Sequence, residues 1–478
     1  MQSAIALEAL VSAAFILLGS KTADLIGRKR AYTLGLLAYA VGALAMTLTQ
    51  SLLPIIIFWA VIGGLGASLL LPSMQSLIHG NFEGAAQRRV YATVGASAAI
   101  AAAVGPLIGG FITTFLSWRV AFLGEAVIIG VVLAGLGLVK DVAYTGDRKI
   151  DLVGGILSIF GMGGLVLGIL AWQEGAERVL LLLAIGIVGL AAFGYWIVRQ
   201  KRSGKTALID PDLFRSILFR YGITGQMLQQ IALGGMMIVL PIYLQMVFAY
   251  NALQAGLSIA PLSLSMFFIA LLAGRRAGRR RPSVIIRAGF LLLAAGVAIL
   301  LPIVPRADAG FWLTVPLIIA GSGLGFLVSQ LNNYTLSPIT EERVSEAAGV
   351  NSAAGSFGLS FGLAFAGALM LASLAALFVA DTDASTVLSP DQKTQVATTL
   401  EDDAQIMSDA QLQTLLATES PEVQAEILRI NDEARQQALQ IALLVPLVAA
   451  LLGFANSFGM IRQPDPEPSE AAEMMLGG

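Results

Sequence analysis

The sequence predicts an all-α integral membrane protein, on three observations: scarce charge, long apolar runs, and basic residues gathered on one side. The 478-residue chain is 13% charged and has a mean hydropathy of +0.79. A water-soluble domain carries about 25% charged residues, so water is not the main solvent of this chain. Its 51 glycines suit helices that pack closely in lipid. The basic residues sit in short clusters between apolar runs, which points away from nucleic acid. There is no cysteine and a single histidine, His79, so disulfides, thiol catalysis and Cys- or His-rich metal sites are excluded. No P-loop pattern is present, which disfavours ATP-driven work by this chain. No enzymatic constellation stands out, so the expectation is a protein that is not an enzyme and uses no cofactor beyond a proton gradient.

Crossing a bilayer as a helix takes roughly 17–25 apolar residues. Thirteen runs qualify, at about 2–20, 31–49, 54–78, 90–116, 119–139, 152–172, 179–198, 219–247, 253–273, 284–303, 311–336, 345–379 and 437–461. The first lacks a basic leader and a small-residue cleavage signature, so it reads as a membrane helix rather than a signal peptide. Backbone in lipid must satisfy its own hydrogen bonds, which makes these segments helices. Assigning the loops alternately to two sides places 23 of the 29 Lys and Arg residues on one side. By the positive-inside rule that side is cytoplasmic, which puts Met1 outside and Gly478 inside a plasma (inner) membrane. One long non-membrane segment, about 380–436, is acidic through Asp381, Asp383, Glu401, Asp402, Asp403 and Glu426. It is expected on the outer face as two or three short amphipathic helices, with Pro421 opening one.

The chain also repeats itself. Arg89-Val90 and Arg343-Val344 each open a glycine- and alanine-rich helix, 254 residues apart. Phe58-Trp59 and Phe311-Trp312 precede them at nearly the same offset, and Gly19 and Gly274 are expected to end two earlier helices. The repeat implies two similar bundles: five helices, then an inserted pair at 152–172 and 179–198, then six helices. The counterpart of helix 219–247 would precede Met1, so a first helix is expected to be missing from this sequence. The expected organisation is an N-terminal bundle over 1–140, the inserted pair over 141–205, and five helices of the C-terminal bundle over 206–380. An extracytoplasmic acidic loop over 381–436, the last helix over 437–461 and a cytoplasmic tail over 462–478 complete it.

The loop after the first helix reads Gly19-Ser20-Lys21-Thr22-Ala23-Asp24-Leu25-Ile26-Gly27-Arg28-Lys29-Arg30. It resembles the signature loop of the major facilitator superfamily, in which an acid and a following Gly-Arg pair sit between two helices. Physically, the glycines permit tight helix ends, and Asp24 can pair with nearby cations to hold one half against the other. The resemblance implies that Gly19, Asp24, Gly27, Arg28, Lys29 and Arg30 form a conformational lock. Gly105-Pro106-Leu107-Ile108-Gly109-Gly110 resembles the antiporter signature of proton-coupled exporters in the same superfamily, with Ala92 and Ala101 where glycine is frequent. Gly and Pro together let helices approach and bend. Trp118-Arg119 also fits the family, and Gly64 to Pro72 resembles its next motif, except that Ala60 stands where that motif carries arginine. The two inserted helices match the fourteen-helix drug:proton antiporter branch. The implied fold is the major facilitator fold, with thirteen transmembrane helices in this sequence.

Carboxylates inside apolar helices are functional suspects, because burying a charge in lipid is costly. Glu8 lies eleven residues before Gly19, roughly 16 Å from the basic end, and Glu125 lies six residues past Arg119, roughly 9 Å in. Burial favours the protonated form of a carboxyl group, as proton coupling requires. Both are candidates for that role. Gln226 and Gln230 share a helix face, with Gln229 beside them, and Ser322, Ser329 and Asn333 share another. Asn351 and Gly355 share a third, so Gln226, Gln229, Gln230, Asn333 and Asn351 are cavity candidates. Tyr243, Phe248 and Tyr250 read as an interfacial aromatic belt. The expectation is a monomeric secondary transporter exporting small lipophilic or drug-like molecules against proton influx. Its partners are the substrate, protons and the bilayer, with no metal. An uptake symporter on the same fold, or a non-transporting sensor or scaffold, is the alternative.

Overall fold

In the computed structural model the described residues are 2–82, 90, 97, 101, 104, 105, 107–141, 151–173, 178–275, 281–339, 341–390, 393, 412, 416 and 420–463. Among them there is no strand. The architecture is carried by α1 (Gln2–Ile26), α2 (Arg28–Leu48) and α3, which runs through Leu52–Pro54, a π-helical stretch Ile55–Gly63 and Gly64–Asn81. Then come α4 (Trp118–Gly135), the inserted pair α5 (Leu152–Gln173) and α6 (Val179–Arg202), and α7 (Ile217–Met246). The remaining helices are α8 (Ala252–Arg275), α9 (Pro282–Ile303), α10 (Thr314–Leu336), α11 (Glu341–Ala384) and α12 (Pro421–Ile461). Eleven helices among the described residues are long and apolar enough to cross a membrane. Of the other two expected spans, α1 carries its apolar stretch at Leu10–Ala23. The span at 90–116 lies largely outside the described residues and is helical at 107–115.

Helix ends follow local chemistry. Ser117, Ser216 and Ser420 each cap a helix through a side-chain oxygen that accepts a backbone N–H, and Pro282 and Pro421 occupy first-turn positions where no N–H is needed. The packing repeats as the sequence does. α1 lies on α3 as α8 lies on α10, α2 on α3 as α9 on α10, and α2 on α4 as α9 on α12. Glycine crossings fix the register. A Cβ on Gly35 would lie 2.9 Å from the Gly66 carbonyl oxygen, and one on Gly289, 254 residues later, would lie 2.9 Å from that of Gly323. A Cβ on Gly42 would lie 2.8 Å from the Phe58 carbonyl oxygen, and one on Gly296, again 254 residues later, would lie 2.7 Å from that of Pro316. Such backbone-to-backbone approach is the main source of helix association where water supplies no hydrophobic drive.

The two bundles meet where α1 packs on α11. They meet again where the 107–115 helix meets the start of α8, with the Leu253 N–H donating to Thr114 Oγ1 at 3.0 Å. The inserted helix α5 packs on both α1 and α11, and α6 packs on α5.

Three expectations change. Gly19 does not end a helix: α1 continues to Ile26, and Gly19 is instead where α1 crosses α3, so close that a Cβ there would lie 2.5 Å from the Ser68 carbonyl oxygen. The division at 436/437 falls inside α12, which runs unbroken from Pro421, because Val423, Ile427, Ile430 and Ala434 pack with Phe378 of the extended α11. Residues 394–411, with Glu401, Asp402 and Asp403, lie outside the described residues. Tyr243 is core rather than belt: it is 1% exposed, its hydroxyl donates to the Val304 carbonyl at 2.7 Å, and its ring meets Phe248, which meets Tyr250.

Candidate functional site

Both candidate carboxylates belong to the first bundle. Glu8 on α1 and Glu125 on α4 lie within electrostatic reach of each other, and Tyr39 on α2 lies within reach of both. All three are half-buried. Close packing sets the height of Glu8, because its backbone carbonyl lies 2.9 Å from where a Cβ on Gly64 would stand. Gly64 directly follows the π-helical stretch of α3, a local widening that is frequent at functional sites. Beside the acids runs an aromatic ladder: Tyr39 to Trp59 at 5.4 Å, Trp59 to Phe122 at 4.8 Å, and Phe122 to Trp118 at 5.8 Å. Arg119 closes its end, donating to the Thr49 carbonyl at 2.7 Å with its guanidinium 4.5 Å from the Trp118 ring centre.

The second bundle contributes neutral polar groups. Gln226 and Gln230 of α7 both face Gly355 of α11, where a Cβ would lie 3.3 Å from Gln226 Nε2 and 3.7 Å from Gln230 Cγ. One turn earlier on α11, Asn351 Nδ2 donates to Asn332 Oδ1 of α10 at 2.7 Å. The α10 partner of Asn351 is thus Asn332, the neighbour of the cavity candidate Asn333, and α10 also buries Gln330. Gln229 is also buried. Gln229 Oε1, Gln230 Oε1 and Asn351 Oδ1 have no hydrogen-bond partner among the described residues. A buried acceptor left unpaired costs about 1–3 kcal/mol, so these three oxygens favour an incoming donor.

The basic loop after α1 is held by an acid from the far end of the first bundle. Gly27 adopts φ +98°, a conformation that favours glycine, and starts α2 without a side-chain cap. The Lys29 N–H donates to Asp141 Oδ1 at 3.0 Å, and Lys29 Nζ donates to the Val139 carbonyl at 2.5 Å. The loop is thus tied to the end of the first bundle by Asp141, an acid that sequence reasoning did not single out. Arg28 is half-buried and Arg30 exposed, while the Asp24 side chain lies outside the described residues. Along the Gly105–Gly110 stretch, Pro106 lies outside them too. Gly105 and Gly109 have open space where a Cβ would stand, whereas a Cβ on Gly110 would lie 2.7 Å from the Ala252 carbonyl oxygen of the other bundle. Of the three described glycines, Gly110 makes the contact between halves.

A model of the Major Facilitator Superfamily matches residues 1–363. The "Probable actinorhodin transporter" of Streptomyces coelicolor is 27% identical over 391 residues, covering 78% of this chain and 66% of that protein. "Multidrug resistance protein Stp" of Mycobacterium tuberculosis is 28% identical over 383 residues, covering 79% and 70%. "Puromycin resistance protein pur8" of Streptomyces alboniger is 28% identical over 377 residues, covering 77% and 73%. The chain spans just under two thirds of the first of these relatives and somewhat more of the others. Among solved structures, the POT family transporter PepTSo superposes with a TM-score of 0.61 at 14% identity, covering 96% of this chain and 90% of that one. The proton:xylose symporter XylE superposes with a TM-score of 0.53 at 13% identity, covering 98% and 87%. At those identities the likeness is one of fold.

Proposed function

Because the chain belongs to the major facilitator superfamily, we infer that it is a secondary transporter that exports small drug-like molecules by alternating access, driven by inward-moving protons. The observation that carries the coupling is the pair Glu8 and Glu125 inside one bundle, sharing Tyr39. Two carboxylates in one apolar bundle are costly to keep there and give a proton places to reside on its way across. The unpaired acceptors Gln229, Gln230 and Asn351 in the opposite bundle supply hydrogen-bonding for a substrate between the halves. Export rather than uptake is supported by relatives named for multidrug and puromycin resistance, and by the place of Gly110 at the contact between bundles. The basic end, with Lys29, Lys201, Arg215 and Arg343, is assigned to the cytoplasm by the positive-inside rule. The α11–α12 extension then stands outside.

Purified protein in proteoliposomes carrying a pH-sensitive dye tests this. A panel of aromatic antibiotics is added with and without an imposed pH gradient. Drug movement opposite to proton movement is expected, whereas drug and protons moving together would replace export with uptake.

A further inference from the structure

The connection from α6 to α7 is folded into the protein rather than laid over it. Leu208, Ile209 and Leu213 are each 3% exposed or less. They share one apolar cluster with Ile16 of α1, Phe193 of α6 and Val350 of α11. α1 and α11 are the helices that face each other across the seam between the bundles, and these residues sit at its basic end. Two carboxylates pin the segment in place. Asp151, buried ahead of α5, accepts the Leu208 N–H at 3.1 Å together with the Gly154 N–H and Trp196 Nε1, both at 2.9 Å. Asp210 reaches across the seam: its Oδ2 lies 2.8 Å from Lys201 Nζ at the end of α6 and 2.5 Å from the Arg343 guanidinium at the start of α11. Its own N–H donates to Glu346 Oε1 of α11.

We propose that residues 206–213 are a removable plug for the basic end of the seam, latched to α11 by Asp210, and that this end opens only when the plug leaves. The chemistry suits a reversible latch. The apolar part is three side chains, enough to exclude water from the seam. The ionic part is only half-buried, with Lys201, Asp210 and Arg343 retaining 43%, 24% and 34% of their side-chain exposure. Ion pairs so placed are weak enough to break and re-form within a cycle. Because the latch acts on α11 and not on the Gly27–Lys29 loop, it is independent of the contact made by Asp141. The plug rests on the transport reading for its place in the cycle, but not for its existence.

The chain has no native cysteine, so a single introduced one reports cleanly. Ala353 is 2% exposed in the cluster that the plug completes. In membrane vesicles exposing the basic face, Ala353→Cys should react slowly with a membrane-impermeant maleimide. Adding Asp210→Asn or Arg343→Gln should speed labelling about tenfold, while Asp210→Glu should leave it unchanged. Two latch variants guard against one that fails to fold. Parental labelling rates in both would overturn the plug. A second arm joins Asp210→Cys to Glu346→Cys with a short bis-maleimide in proteoliposomes. The linked protein should bind drug but not turn over, and turnover at the parental rate would also overturn the plug. If the parent moves no drug at all, the labelling arm still reads the latch, so failure of the transport reading and failure of the plug remain distinguishable.

Discussion

Gly296 offers a direct test of the packing that repeats between the bundles. An alanine there would place its Cβ 2.5 Å from the Ala320 amide nitrogen, 2.7 Å from the Ala320 Cβ and 2.7 Å from the Pro316 carbonyl oxygen. Ordinary contacts begin near 3.4 Å, and two of the three obstacles are backbone, so α9 and α10 must separate by roughly 1 Å along their crossing. Overpacking of this kind costs about 1–3 kcal/mol. Alanine returns about 1 kcal/mol through helix propensity, and because backbone atoms below 3.0 Å place the cost toward its upper end, a net loss of up to about 2 kcal/mol remains. Gly124 is the control, because a Cβ there has nothing within 4 Å and Gly124→Ala should gain the propensity term alone. The assay is thermal unfolding in detergent, read as the fraction remaining monodisperse after heating. Gly296→Ala should melt below the parent and Gly124→Ala at or above it. Equal midpoints for the two variants would refute the close crossing. Gly42→Ala, at the repeat-related position, should behave like Gly296→Ala, because its Cβ would stand 2.8 Å from the Phe58 carbonyl oxygen.

Other perturbations follow the same logic. Asp151→Ala strands three donors at once, the amides of Gly154 and Leu208 and the indole of Trp196, and should cost at least about 1–3 kcal/mol, with a change in tryptophan emission reporting it. Tyr243→Phe removes a buried hydrogen bond to the Val304 carbonyl and should lower stability by about 1 kcal/mol without altering drug flux, measured by the same heating assay. Gly355→Leu should fill the space between Gln226 and Gln230 and weaken drug binding several-fold in a fluorescence titration, while leaving the fold monodisperse. Burial pushes the Asp210 carboxyl up, but Lys201, the Asp212 amide and Arg343 outweigh it and hold it below the ordinary carboxylate range. Its contribution is therefore fully present above that range and lost as pH falls through the lowered value, so labelling at Ala353→Cys, divided at each pH by that of a freely exposed thiol because maleimide adds to the thiolate, should stay flat through neutral pH and rise only in strong acid.

The sequence made the fold legible because its signals are of long period. Apolar runs of bilayer length and one-sided basic residues survive any uncertainty in local detail, and the family match and the shared fold of the solved relatives agree with them. The repeat was legible only in part. Its offset of 254 residues is visible in Arg89-Val90 and Arg343-Val344, but the residues that give it physical meaning are Gly35, Gly42, Gly289 and Gly296. Glycines are so abundant here that four more at a constant spacing do not stand out. Partners across the fold were less legible still. Asp141, Asp151 and Asp210 sit in ordinary-looking polar loops, and nothing local shows that one holds Lys29, another the Leu208 amide and the third Arg343. Asn332 and Asn333 are adjacent, and only the rotation of α10 against α11 decides which meets Asn351. The long reach of α12 back to Pro421 was hidden because its outer half is polar on one face. Burial of Ile427 and Ile430 against Phe378 keeps it helical beyond the apolar run.

Proton-driven drug flux in proteoliposomes, compared between the parent and the double variant Glu8→Gln, Glu125→Gln, tests most directly whether these two acids couple protons to transport. The parent should concentrate drug against its gradient when protons run the other way. The double variant should lose that accumulation while still letting drug equilibrate down its own gradient. Accumulation in the double variant equal to that of the parent would remove Glu8 and Glu125 from the coupling step.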